Sequence, residues 1–277
     1  MPKLTQVYKC EDKYDQILIN KCLFLVMDNN TEQAIKIYQK EIGNKNINAN
    51  KYVENIFNTI DSIVKAKHQW KMYQKLEKKV IKKIKKEIGK SKTVCDQGFA
   101  EPEAISHFDA YLTQLKTALD SLALAIGSLY GFHPDGWHKG KNEKGERVSG
   151  LRLINALENL GIKQQRSVEL ILNYIKEQIP TINKLVFLRD GSVHKKGDRK
   201  REITDFVYYQ NNEVIQSPLL ITDDGNLFLS KVMERSIDYF CNFTLTVIIL
   251  SLSNLTPLMK PVIDEKNEKV FWFFNFK

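Results

Sequence analysis

This chain has little with which to build a metal site or a disulfide framework. Its 277 residues include four cysteines, Cys10, Cys22, Cys95 and Cys241, widely separated and without a Cys-x-x-Cys pair. That spacing fits neither a zinc centre nor a set of disulfides. It fits small buried hydrophobes in a reducing compartment. No Walker loop, dinucleotide fingerprint or Gly-x-Ser-x-Gly elbow is present, which removes the usual routes to nucleotide hydrolysis and hydrolase-elbow chemistry. Met1 to Gln6 lacks a signal-peptide pattern, so the expectation is a cytoplasmic protein with no cofactor and no metal. One uncharged run, Tyr239 to Met259, approaches the length of a membrane span. Asn242, Ser251, Ser253, Asn254, Thr244, Thr246, Thr256 and Pro257 interrupt it. It is therefore expected as a helix buried in a bundle, not in lipid.

What is abundant is apolar residues and lysine. At 43% apolar and 10% aromatic the chain can bury a sizeable core. Its net charge of +9 is unevenly spread: between Lys65 and Lys92 twelve lysines stand against Glu77 and Glu87, a local +10. A second cluster, Lys195, Lys196, Arg199, Lys200 and Arg201, has only Asp198 against it. Such fields attract polyanions, with RNA or DNA the first candidate. For the first cluster a solvated helix face is the simpler account.

The hydrophobic period is helical over most of the chain, which predicts an all-α fold in a single domain over 1–277. Within residues 1–99, Asp12 to Met27 and Thr31 to Ile42 give two short helices. Tyr52, Ile56, Ile60, Ile63, Val64, Trp70, Tyr73, Leu76, Val80, Ile84 and Ile88 then mark one long amphipathic helix over 51–89. Its length predicts that part of it projects from the core or meets a partner chain. Residues 100–255 form the core, opening with Glu101-Pro102-Glu103, acids and a proline where a first helical turn favours them. Gly131 to Gly150 holds five glycines and is expected as a long loop with a binding role, Trp137 and its lysines meeting RNA. His133 and His138 in this loop have no matching metal ligands elsewhere. His107, Asp109 and His68 are expected at the surface. Helices follow over 151–160 and 167–188, the second bent by Pro180. Alternation over 203–221 predicts a small β-hairpin inserted at 202–222. Asp223 to Asn226 is expected to turn into a helix over 228–255, and Lys269 to Phe276 of the aromatic tail, 256–277, to form a short strand beside the hairpin.

The chemistry concentrates in Phe187-Leu188-Arg189-Asp190-Gly191-Ser192-Val193-His194-Lys195-Lys196. Cleavage of RNA needs a base for the ribose 2′-hydroxyl and cations for the crowded phosphorus centre. His194 has the right intrinsic proton affinity near neutrality. Arg189 presents a fork of donors matched to phosphate oxygens. Asp190 or Ser192 can orient the imidazole or bind the ribose. Positions five apart on an ideal helix lie about 140° apart, so Arg189 and His194 need either a helix break at Gly191 or a second chain. Taken singly, Arg189 also fits a helix C-terminal cation and His194 a surface histidine.

The Arg-x4-His spacing after a helix, in a mainly helical chain, resembles the signature of the HEPN family. The resemblance covers about residues 100–255 and leaves the lysine-rich helix outside. It implies a four- to five-helix domain and a metal-independent endoribonuclease that leaves 2′,3′-cyclic phosphate ends. It also implies a homodimer in which both protomers line one cleft, with Arg189 and His194 as the family's arginine and histidine. Asp190 stands where that family often has asparagine, a carboxylate that repels a bound phosphate unless it pairs with Arg189 or His194. Leu119-Asp120-Ser121-Leu122-Ala123 looks like the family's packing helix, with Asp120 as a supporting residue. Many relatives act as prokaryotic toxins or in antiviral defence, which implies an antitoxin or activator as a partner. The same basic surface also fits a non-catalytic helical module for nucleic acid, a nucleotide or a protein, and the long helix fits a scaffold.

Overall fold

The computed structural model describes residues 29–88, 97–143, 145, 147–193, 202–209, 214–222, 225–253, 255, 259–264 and 269–274. Six helices lie among them: α1 (Asn29–Ile42), α2 (Ala49–Ile88), α3 (Pro102–Tyr130), α4 (Leu151–Glu158), α5 (Ile162–Val193) and α6 (Leu229–Ser253). The protein is mainly helical, with small sheets. The helix expected over 12–27 and the cysteines Cys10, Cys22 and Cys95 lie outside the described residues. Cys241 is buried. No helix among the described residues is long and apolar enough to cross a membrane.

The chain forms two compact units, each drawn from several stretches of sequence: residues 1–64, 118–180 and 241–277 in one, 65–117 and 181–240 in the other. In the first, the N-terminal half of α2 buries Tyr52, Ile56 and Ile60, and α6 buries Phe243, Val247 and Ile248. Gln164 on α5 donates to the Tyr130 carbonyl at 2.9 Å, and the Asn48 N–H reaches the Ser128 carbonyl at 2.8 Å. Tyr130 is fully buried with its ring edge-on to Tyr38. Burial first, then Tyr38 and Tyr52, push its hydroxyl well above the ordinary tyrosine range, so it stays neutral.

α3 ends where the Gly131 and Phe132 N–H groups both turn back to the Gly127 carbonyl, at 2.8 and 3.0 Å, with Gly131 at φ 78°. Gly127 itself is in the helix, where alanine is normally favourable. Here an added Cβ would meet the Pro134 ring and lie 2.7 Å from the Phe132 carbonyl oxygen. Gly127→Ala is expected to destabilise by about 1–3 kcal/mol in urea unfolding, opposite in sign to a typical exposed helix glycine.

The glycine-rich segment 131–150 is not the open loop expected. Its strands β2 (Gly140–Lys141) and β3 (Arg147–Val148) pair as a short ribbon. Trp137, expected to meet RNA, is fully buried. Its indole lies edge-on to Phe243 at 5.9 Å, and Phe243 stacks on Tyr174 at 5.8 Å. The ring is the anchor of the segment, which corrects the expectation of an RNA-facing aromatic.

In the second unit, Tyr111 on α3 donates to the Met233 carbonyl at 2.8 Å and lies 2.6 Å from Ser236 Oγ on α6. The C-terminal half of α2 keeps Tyr73, Leu76, Val80 and Ile84 buried within this chain. The apolar stripe of this half thus packs within its own unit, where the length of the helix predicted projection from the core or contact with a partner chain. The hairpin over 202–222 is present in a single register. Strands β4 (Glu202–Ile203) and β7 (Leu219–Thr222) pair Glu202 with Ile221 and Ile203 with Leu220. Strands β5 (Phe206–Tyr209) and β6 (Val214–Gln216) pair Val207 with Gln216 through Tyr209 with Val214. Between the two ladders the Thr204 N–H donates to the Leu219 carbonyl, and the Leu219 N–H to Thr204 Oγ1.

Each half of the hairpin recruits a third strand that local alternation does not reveal. β1 (Gln97–Phe99) joins β5, and β8 (Gly225–Phe228) joins β7. The segment 225–228, expected to finish a turn and open the helix at Phe228, is thus a strand, and α6 begins one residue later at Leu229. The tail also departs from expectation. Its strand β10 (Lys269–Phe274) pairs with β9 (Met259–Asp264), six residues to six, and not with the 202–222 hairpin.

Candidate RNA-cleavage site

The buried stripe of α5 runs Val168, Ile171, Ile175, Ile179, Ile182 and Val186, in steps of three and four. The next positions in that series are 189 and 190. There the apolar pattern gives way to an ion pair: Arg189 Nη1 lies 3.2 Å from Asp190 Oδ1, with side-chain exposures of 27% and 23%. The Asp190 carboxylate is thereby partnered. Its pairing accounts for an acid near a helix C-terminus, where negative charge is otherwise disfavoured.

α5 continues unbroken through Gly191, Ser192 and Val193, and Pro180 sits inside it without ending it. Gly191 therefore does not supply the helix break that would bring Arg189 towards His194 within one chain. Position 192 falls three residues after Arg189, on the same side of the helix by register. His194, Lys195, Lys196, Arg199, Lys200 and Arg201 lie outside the described residues.

Asp120 has a clear structural task in the first unit. Its Oδ1 accepts the Trp137 backbone N–H at 2.7 Å, and an added Cβ on Gly136 (φ 100°) would lie 2.7 Å from the same oxygen. The carboxylate thus clamps the segment that Trp137 anchors. Asp120→Ala is expected to cost about 1.5–3 kcal/mol, the range for a hydrogen bond to a charged group. Asp120→Asn, which keeps an acceptor oxygen, is expected to recover most of that in thermal melts.

Sequence reasoning placed His107 at the surface, and this is corrected. Its ring is held between α2 and α3 in the second unit: Nδ1 lies 2.9 Å from Gln69 Oε1 and Nε2 is 3.8 Å from Glu103 Oε1, with 16% exposure. Gln69 Oε1 can only accept, so Nδ1 is the donor in this contact. A histidine at the solvent edge of the α3 apolar stripe gave no local sign of this; only the crossing of α2 supplies Gln69. One helical turn after Gln69, Tyr73 is fully buried. Burial, and then the Glu77 carboxylate, hold its hydroxyl protonated far into alkaline pH. His68 is exposed, as expected. Among the described residues no three of histidine, cysteine, aspartate and glutamate gather into a metal-binding group.

The class defined by these observations is a mainly helical protein with a half-buried Arg–Asp pair near the end of its fifth described helix. No protein-family model, curated protein or solved structure matches the chain.

Proposed function

We propose that the chain is a metal-independent endoribonuclease of HEPN type. The observation that carries this reading is the replacement of the α5 apolar stripe by Arg189 and Asp190, followed in sequence by His194 and five cations. A half-buried guanidinium is a stronger phosphate ligand than a fully solvated one, because less water competes for it. An incoming phosphate competes with Asp190 for the guanidinium fork, which would gate the site towards bound RNA.

In this mechanism His194 takes the proton from the ribose 2′-hydroxyl. The oxygen attacks the adjacent phosphorus, the bond to the 5′-oxygen breaks with that oxygen taking a proton from water to leave as a 5′-hydroxyl, and a 2′,3′-cyclic phosphate remains. Arg189 stabilises the charge that builds on the phosphoryl oxygens. Ser192 binds the ribose or orients the imidazole, and Lys195, Lys196, Arg199, Lys200 and Arg201 draw in the backbone. Since α5 is unbroken at Gly191, the reading places the complete site between two copies of the chain, each contributing part of it. A prokaryotic toxin or antiviral role follows from the resemblance, with an antitoxin or activator as regulator.

The test is incubation of the purified protein with end-labelled RNA in excess EDTA, beside Arg189→Ala and His194→Ala. Cleavage by the wild type alone, with cyclic-phosphate ends, supports the nuclease. Absence of cleavage by wild type across structured and unstructured RNAs, with RNA binding retained, replaces it with a non-catalytic nucleic-acid-binding module.

A further inference from the structure

The second unit carries a feature that cleavage chemistry does not use. On the C-terminal half of α2, Lys75, Lys78, Lys79, Lys82, Lys83, Lys85 and Lys86 are all exposed. None of the seven forms an ion pair among the described residues. At about 100° per residue they occupy an arc of about 160°, and over eleven residues they extend about 16 Å along the axis. The opposite side of the same turns holds Tyr73, Leu76, Val80 and Ile84, all buried. The lysines are therefore fixed to a rod that cannot roll away from its orientation.

Two ordinary explanations fail for this face. Cations near a helix C-terminus are favoured by the dipole, but that effect fades within the last turn; Lys75 to Lys83 lie before it. A face built for solubility interleaves both signs, as the first half of α2 does with Lys51, Glu54, Asp61 and Lys65. Here like charges stand at i,i+3 and i,i+4 throughout: Lys75 with Lys78 and Lys79, Lys79 with Lys82 and Lys83, Lys82 with Lys85 and Lys86. Each such pair repels. The helix keeps a repulsion that a regular array of negative charge would relieve.

We infer that the exposed lysine face of α2 over Lys75–Lys86 is a docking surface for the RNA phosphate backbone, read without sequence preference. A duplex carries one charge per about 1.7 Å of axis, so a 16 Å rod meets several phosphates at once. Flexible lysine ammonium groups suit such point contacts and carry no base readout. The face lies in the same compact unit as Arg189. The inference rests on the proposed function for the choice of RNA over other polyanions, but its test does not depend on cleavage.

The experiment uses the full chain with His194→Ala, in EDTA, and a fluorescein-labelled hairpin RNA. Binding is followed by anisotropy over about 50–300 mM KCl. The quadruple variant Lys78→Gln, Lys79→Gln, Lys82→Gln, Lys83→Gln is compared with a control that removes the same charge elsewhere: Lys36→Gln, Lys40→Gln, Lys51→Gln, Lys176→Gln. The face variant is expected to lose at least about tenfold in affinity and about three in the slope of log K against log salt, while the control changes little. It is also expected to melt no lower than the parent, since repulsion has been removed, and to gain less thermal stability from added RNA. Equal losses in face variant and control overturn the proposal in favour of net charge. So does unchanged binding, or binding to anionic vesicles (about 30% phosphatidylserine) that exceeds binding to RNA and depends on the same lysines. Loss of binding in the face variant alongside an inactive wild type sinks the nuclease and leaves this surface standing; cleavage with unchanged binding does the reverse.

Discussion

Replacing His194 with alanine is expected to slow RNA cleavage by about 10²–10⁴-fold, the usual contribution of a positioned general base or acid. Arg189→Ala is expected to cost about 10²–10³-fold through lost charge stabilisation at the phosphorus centre. The two variants should differ in a second readout. Removing Arg189 takes away the partner paired with the 23%-exposed Asp190 carboxylate at 3.2 Å, so Arg189→Ala should also lower the melting temperature. His194→Ala carries no such expectation. Arg189→Lys keeps the charge without the planar fork and should recover stability better than rate. Asp190→Asn is the most informative third variant. It removes the charge that competes with phosphate for Arg189, so RNA affinity should rise even where the rate does not. Single-turnover cleavage and anisotropy together check all four. Equal rates for wild type and both alanine variants would assign the activity to another site.

The second large effect concerns Trp137. The indole is fully buried and packs edge-on against Phe243, which in turn stacks on Tyr174. Trp137→Ala is expected to cost about 3–5 kcal/mol, the range for removing a large aromatic from a core. For a chain of this size that is a fall of roughly 6–15 °C in melting temperature. Gly150→Ala should act on the same cluster from the other side. Gly150 sits at φ 76°, and an added Cβ would lie 2.6 Å from the indole ring, so backbone strain and a clash arrive together. Trp137→Phe should be much milder than Trp137→Ala. Were the tryptophan a stacking platform for bases, Trp137→Ala would instead weaken RNA binding and leave the melting temperature unchanged. Differential scanning fluorimetry beside anisotropy separates the two outcomes.

Much of the fold is legible in sequence wherever local chemistry is decisive. The long helix of α2 follows from its three-and-four spacing to within two residues at its start and one at its end. Pro102 opens α3 because a proline loses nothing at a first helical turn. The strands of the 202–222 hairpin follow from alternation, while their register is given by the fold. Gly191 misled because glycine lowers helix propensity by only about 1 kcal/mol, less than the packing of the α5 stripe supplies. Trp137 misled because a segment rich in glycine and charge reads as solvated, while one large ring and the Asp120 clamp suffice to bury its centre.

By itself, then, the sequence determined the helical class, the extent of the long helix α2, the lysine face and the Arg189-to-His194 spacing. Each depends on periodicity or composition within a few turns of chain, where backbone geometry leaves few alternatives. Only the tertiary structure decided that Asp190 neutralises Arg189, that β1 and β8 complete the two sheets, that His107 meets Gln69, and that Trp137 is core. Those outcomes join residues between one and more than one hundred positions apart. Pairing of that kind is set by which surfaces meet after collapse, and side-chain burial and partner choice are properties of the contact, not of either segment alone.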